Sequence, residues 1–179
     1  AVGSLNFEYK PGCIVVVDQF IDFTKSRIPT FFEGDERGVV HVDMTEPYCP
    51  EIRRVLFEAA STTGTDVFER GTYVCTEGPR FETAAEIKMF KILGGDVIGM
   101  TTVPEAVLAR ELGICYSTVA MVTNFAAGIS PGKLTHAEVV SCMQSNMTRL
   151  RQTITRAIEQ IPSRAGCECG MVPDGITVK

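Results

Sequence analysis

The chain has 179 residues, 45% of them hydrophobic and 22% charged, and a formal net charge of -5. That is the composition of one ordinary folded domain, long enough for a sizeable core. The acidic balance and the lack of any Lys/Arg run exclude an electrostatic footprint for nucleic acid, and no apolar run is long enough to span a bilayer, so the expected setting is the cytoplasm.

In chain order, β-rich runs alternate with helical ones. The chain opens at Ala1 rather than Met and enters "PGCIVVVDQF" almost at once, which reads as the interior of a domain whose earlier part precedes Ala1. Cys13 to Asp18 is an apolar run expected as a buried strand. Lys25 to Gly38, with Pro29, Gly34 and alternating charges, reads as an exposed loop. Glu51 to Ser61 follows Pro50 and carries Ile52, Val55, Leu56 and Ala59 on one helical face. Gly71 to Thr76 is a short strand, and Thr83 to Leu93 a helix stopped by Gly94-Gly95. "DVIGM" is a strand, "VPEAVLAREL" a helix with Pro104 in its first turn, and "CYSTVAMVTN" a long buried strand. From Thr135 to about Ile161, Val139, Met143, Met147, Leu150, Ile154, Ile158 and Ile161 form a three-four stripe, an amphipathic helix stopped by Pro162. A tail occupies about 163–179.

This alternation predicts one α/β domain over 1–179, with a mixed, mostly parallel central sheet flanked by helices. Seven cysteines are many for a cytosolic domain, and Cys167-Glu168-Cys169 sets two of them close together. Reduced, buried thiols and structural disulfides of the hyperthermophile kind both fit. Neither a His nor a second Cys pair with zinc spacing accompanies Cys167 and Cys169, so no metal site is expected.

In an open α/β sheet, ligands bind beyond the carboxyl ends of the strands. Three turns follow: "EGPRFE" after the Tyr73 strand, "GMTTVPE" after the Asp96 strand and "TNFAAGIS" after the Cys115 strand. Together they offer an aromatic face (Phe81), a carboxylate (Glu82), a thioether (Met100), hydroxyls (Thr101, Thr102) and an amide (Asn124). Hydroxyls at a helix start suit an anion. Singly, each has an ordinary use: Glu82 as an acid favourable to a helix dipole, Asn124 as a turn residue. No Ser/His/Asp or Cys/His arrangement supports covalent catalysis.

Taken jointly, "TEGPRFETAAE", "DVIGMTTVPEAVLARELGICY" and "MVTNFAAGIS…LTHAEV", with "AVGSL" and "VVHVDMTEPYCP" upstream, resemble the trimeric purine nucleoside phosphorylase and methylthioadenosine phosphorylase family. The resemblance runs from Ala1 to about Ile161. It implies a pentosyltransferase that cleaves the N-glycosidic bond of a purine nucleoside with inorganic phosphate, giving free purine and (deoxy)ribose 1-phosphate. Phosphate is then a co-substrate and no cofactor is implied. Ala1 and Thr101 are implied at the phosphate, Met100 under the ribose, Phe81 against the base, and Asn124 as the catalytic donor to the purine at N7 and the six-position.

The same resemblance distinguishes bases. A 6-oxopurine carries hydrogen on N1, a donor that suits the Glu82 carboxylate, whereas adenine presents a lone pair there. The methylthioadenosine branch typically has a small hydroxyl residue at the Glu82 position and Asp at the Asn124 position. Inosine and guanosine are therefore expected over adenosine derivatives. At the 5′ end the signals diverge. His136 in "LTHAEV" matches a histidine near the ribose 5′-hydroxyl, while His41 matches one that the methylthioadenosine branch lends to a neighbouring subunit. A 5′-methylthioinosine substrate reconciles them. A homotrimer or dimer of trimers is implied as well. Gly99 stands where relatives often have a larger residue. Family proteins also carry a phosphate-binding Gly/Ser loop and an Arg-containing motif before "AVGSL", and neither occurs here. A methylthioadenosine phosphorylase and a silent purine-binding module are the alternatives.

Overall fold

The computed structural model describes residues 1–34, 36, 38–130, 135–163 and 166–170. Seven strands form the sheet: β1 (Val2–Ser4), β2 (Ile14–Val16), β3 (Gln19–Phe23), β4 (Val67–Phe68), β5 (Thr72–Thr76), β6 (Val97–Gly99) and β7 (Val119–Phe125). Their spatial order is β3-β5-β6-β1-β7-β2-β4. The pairs β3/β5, β5/β6, β1/β7 and β2/β4 are parallel, while β1/β6 and β2/β7 are antiparallel. The expected mixed, mostly parallel sheet is therefore what the chain forms.

Side chains alternate across a strand, so each strand feeds two packing layers. Tyr73 and Cys75 of β5, Val97 of β6, Val15 of β2 and Ala120 and Val122 of β7 face one layer. It is closed by Val103 and Ala106 of helix α3 (Thr102–Glu111). On the other face, Val74 and Ile98 pack with Ile87 and Phe90 of α2 (Ala84–Ile92). Val16 meets Val55, Leu56 and Ala59 of α1 (Pro50–Ser61) and Ala157 of α4 (His136–Gln160). Burying Ile87 and Phe90 contributes about 1.5–3 kcal/mol each before the entropy of ordering them. Those two residues fasten α2, and with it the turn carrying Phe81 and Glu82, to the sheet.

Local chemistry sets the helix ends. Pro50 opens α1 at a position where its missing N–H costs nothing. Thr83 and Glu86 form a reciprocal capping box on α2, and Thr135 and Glu138 form another on α4.

Four expectations need correcting. The apolar run 13–18 yields only β2, and β3 follows it directly after a two-residue break. The segment 25–38 has no helix or strand among its described residues, but it is not simply exposed. Phe32 is buried, and the Glu111 carboxylate accepts from Thr30 Oγ1 (2.6 Å) and Phe31 N (2.8 Å), pinning this segment to α3. The α4 stripe is only partly a core face. Asn146, Thr153 and Ala157 are the buried positions, while Ile154 and Ile158 are exposed. The reason is close packing against α1, where Thr153 and Ala157 fit and larger residues do not. The fourth correction concerns the "CYSTVAMVTN" strand, which starts at Val119 and runs on to Phe125. Most of the expected tail lies outside the described residues; Glu168–Gly170 within it form a short 3-10 turn. Among the described residues, no helix is long and apolar enough to cross a membrane.

Candidate active-site cleft

β1 is the organising strand. It lies between β6 and β7, and Gly3 stands opposite both Ile98 and Asn124. A side chain at Gly3 would put its Cβ 3.2 Å from Asn124 Nδ2 and 3.3 Å from Ile98 Cγ2. Glycine here lets the Asn124 amide lie flat against β1. The β1/β7 register shifts between Val2 and Gly3, with Thr123 as the extra residue. Such bulges re-aim side chains where a ladder must serve a site. Thr123 Oγ1 donates to Asn124 Oδ1 at 2.7 Å and lies 3.2 Å from the Val2 carbonyl. Asn124 Nδ2 donates to Phe125 O at 3.0 Å. A primary amide has two N–H donors, so one remains for a ligand.

Next to Asn124, β5 and β6 end together. Beyond β5, Gly78 adopts φ +69°, a conformation suited to glycine, and lies close over Met100. The turn then brings Phe81, 42% exposed, and half-buried Glu82 over the sheet's end. Thr76 Oγ1 donates to Glu82 Oε1 at 2.7 Å. None of the ion pairs among the described residues engages Glu82. Arg80 is bound instead to Glu86, at 2.7 Å.

The result is a cleft of about 300 Å³ whose lining includes Ala1, Phe81, Glu82, Met100, Thr101 and Asn124. Six sequence-selected residues thus converge on one space. Thr101 is the N-cap of α3, yet its side chain makes no capping bond. Tyr73 lies beneath: a Cβ at Gly99 would fall 2.0 Å from its hydroxyl oxygen. The space a larger residue would take at Gly99 is filled by that phenol. Burial pushes the Tyr73 hydroxyl up to about 12, with hydrogen bonds from Thr101 opposing, so it is neutral near pH 7.

The two histidines are elsewhere. His41 is exposed in the segment before α1, and His136 is the exposed first residue of α4; neither lines the cleft. Asn124, expected where the strand ends and the turn begins, sits one residue inside the end of β7. Because β1 is antiparallel to β6 and parallel to β7, the carboxyl ends of β6 and β7 point opposite ways. Asn124 reaches the cleft through the bulge. Sequence reasoning missed Thr76, Thr123, Gly3 and Val139, of which Val139 comes from α4. A threonine six residues before a glutamate gives no signal by itself.

A second grouping was invisible in the spacing. Cys49, Cys115, Cys167 and Cys169 place their four sulfurs within 4.8 Å of one another. The expectation of no metal site rested on near-neighbour spacing alone.

Chemically, the cleft joins a carboxylate acceptor, an amide N–H, an aromatic face and a thioether, with a threonine hydroxyl at a helix start. The family model described as the phosphorylase superfamily matches residues 1–159. A 6-oxopurine nucleoside phosphorylase of Pyrococcus furiosus is 57% identical, over 99% of this chain and 69% of its own length. A probable S-methyl-5′-thioinosine phosphorylase of Methanopyrus kandleri is 50% identical, with coverage of 99% and 69%. Among solved structures, a methylthioadenosine phosphorylase from Schistosoma mansoni in complex with adenine superposes with a TM-score of 0.86 at 30% identity, covering 92% of this chain and 64% of that one. The chain therefore spans about two thirds of the length of these relatives.

Proposed function

Because this chain belongs to the phosphorylase superfamily, we propose that it takes part in phosphorolysis of purine nucleosides as one α/β phosphorylase domain, with 6-oxopurines preferred. The observation that carries the reading is the meeting of Glu82 and Asn124 in one cleft, with Phe81 beside them.

Phosphate attacks C1′ as the C1′–N9 bond breaks. The base takes that electron pair, and the proton of hydrogenphosphate passes to the purine, leaving pentose 1-phosphate. The barrier is lowered by holding the reactants together and by donors aimed at the charge developing on the base. Asn124, oriented by Thr123 and Phe125, gives its free N–H to the purine near N7. Glu82, whose Oε1 is held by Thr76, accepts the N1–H of a 6-oxopurine. Adenine would set a lone pair against that carboxylate, a mismatch of about 1–3 kcal/mol or more. Phe81 covers the base and Met100 underlies the ribose. Thr101, at the start of α3, and Ala1 contact phosphate. The reaction needs no cofactor, since phosphate supplies the nucleophile.

The site is completed in a homotrimer or dimer of trimers in the cytoplasm. His41 serves the adjoining subunit's 5′ pocket, and its exposed position is what such a role requires. His136, outside the cleft itself, is assigned to the ribose 5′ end by the family resemblance alone. A 5′-methylthioinosine substrate is the second reading, favoured by the relative of that name at 50% identity.

The test measures purine release by the intact protein, with and without phosphate, from inosine, guanosine, methylthioinosine and methylthioadenosine. Phosphate-dependent release of hypoxanthine or guanine is expected. Faster release of adenine from methylthioadenosine would overturn the base assignment, and no release from any of the four would overturn the activity.

A further inference from the structure

Three segments remote in sequence meet around four sulfurs. Cys49 is the N-cap of α1, Cys115 follows the end of α3, and Cys167 and Cys169 flank the start of the 3-10 turn 168–170. Cys49 and Cys169 are buried, while Cys115 and Cys167 are half-buried. The Cys167 sulfur is 3.4 Å from that of Cys115 and 3.6 Å from that of Cys49. Four thiolates around zinc, with bonds of about 2.3 Å in a tetrahedron, stand about 3.8 Å apart. Two disulfides within the set are the competing use of the same four sulfurs, and thiol counting distinguishes them from a metal site.

The convergence does not depend on the sulfurs. Cys49 N donates to Tyr116 O at 2.8 Å, joining the start of α1 to the strand-side end of the Cys115 segment. Gly166 N donates to Glu51 Oε1 at 2.7 Å, laying the Cys167 segment on the first turn of α1. The ligand set is thus held by neighbouring backbone contacts before any ion arrives, the arrangement that favours tight binding.

We propose that Cys49, Cys115, Cys167 and Cys169 form a closed tetrathiolate site for one zinc ion. Binding releases four protons and leaves a local charge of -2. Arg110 lines the adjoining hollow and offsets part of it, although Asp43, Glu46 and Glu168 line the same hollow. Four protein ligands leave no open position, so the ion is structural rather than catalytic. None of the four sulfur residues lines the purine cleft. The ion instead ties residues 166–170 to the ends of α1 and α3, adding to the Tyr48–Tyr116 ring packing and the Cys49–Tyr116 hydrogen bond that already join the latter two.

The experiment is metal analysis of the intact protein purified under reducing conditions, combined with cobalt(II) substitution and intact-mass thiol counting. One zinc per chain is expected, with cobalt giving the absorption bands of a tetrahedral tetrathiolate. Cys169→Ser and Cys49→Ser should each lose the zinc. Cys142→Ser, outside the cluster, should keep it. Should either cluster variant fail to fold, the cobalt spectrum of the unaltered protein decides. Three results would each overturn the site: zinc retained in both cluster variants, no zinc or cobalt uptake by the reduced protein, or a native mass showing these cysteines as disulfides without metal.

Discussion

Thr76 Oγ1 lies 2.7 Å from Glu82 Oε1, joining the last residue of β5 to the carboxylate six residues on. Thr76 is buried and Glu82 half-buried, so the hydroxyl fixes one carboxylate oxygen and leaves the other to meet a base. Removing that donor frees the carboxylate to rotate. A hydrogen bond to a charged group contributes about 1.5–3 kcal/mol, and each 1.36 kcal/mol corresponds to about tenfold. Thr76→Val should therefore lower kcat/KM for inosine by roughly tenfold or more, and Thr76→Ser should restore most of it. Steady-state kinetics on the two variants checks this, and equal losses in both would point to packing instead.

Base preference should reside in two side chains. Glu82→Ser removes the acceptor for N1–H, and Asn124→Asp adds an acceptor where adenine has an amino donor. The double variant should shift the ratio of inosine to methylthioadenosine rates toward the 6-aminopurine by about one to two orders of magnitude, the span of one or two re-matched polar contacts. An unchanged ratio, measured with both substrates on parent and variant, would show that neither residue reads the six-position.

These two residues also show what a linear sequence discloses. Phe81 and Glu82 were legible because a strand, a Gly-Pro turn and a helix start lie together in thirteen residues. Met100 and Thr101 were legible because β6 and α3 follow the same pattern. Asn124 was selected from its place at a strand's end and does line the cleft, but the direction of β7 and its bulge are products of strand pairing. Pairing partners lie too far apart in the chain for periodicity to report them. The same limit hid the four-cysteine cluster, whose members span 49 to 169. It also made the α4 stripe look more buried than it is, because periodicity marks an apolar face and not the depth of the groove that receives it.

Gly99 gives a stability prediction. A Cβ there would fall 2.0 Å from Tyr73 Oη and 2.7 Å from Cζ, and Tyr73 is itself buried, with little room to retreat. Overpacking of this kind costs about 1–3 kcal/mol, so Gly99→Ala should lower Tm by roughly 2–10 °C for a domain of this size. Adding Tyr73→Phe removes the closest clash and should recover part of the loss. Thermal unfolding of the single and double variants measures both effects, and a Gly99→Ala protein as stable as its parent would mean that the phenol is free to move.

The last prediction concerns acid. Arg80 hydrogen-bonds the Glu86 carboxylate, the Thr83 N–H adds a second bond, and together they bring Glu86 down to about 2 from its ordinary 4.5. A carboxylate with a depressed folded-state value binds its proton more readily in the unfolded chain. Its contribution is therefore fully present above pH 4.5 and is lost as pH falls toward 2. Glu86→Gln keeps the shape of the capping box but has no charge to titrate. Below pH 4.5 the parent should lose its stability advantage over this variant progressively, and little difference should remain near pH 2. The Arg80–Glu86 pair is exposed, so salt should shrink the advantage at neutral pH as well. Denaturant midpoints for parent and variant across that range, at low and high salt, provide the check. An advantage independent of pH would assign the capping box's effect to its neutral hydrogen bonds alone.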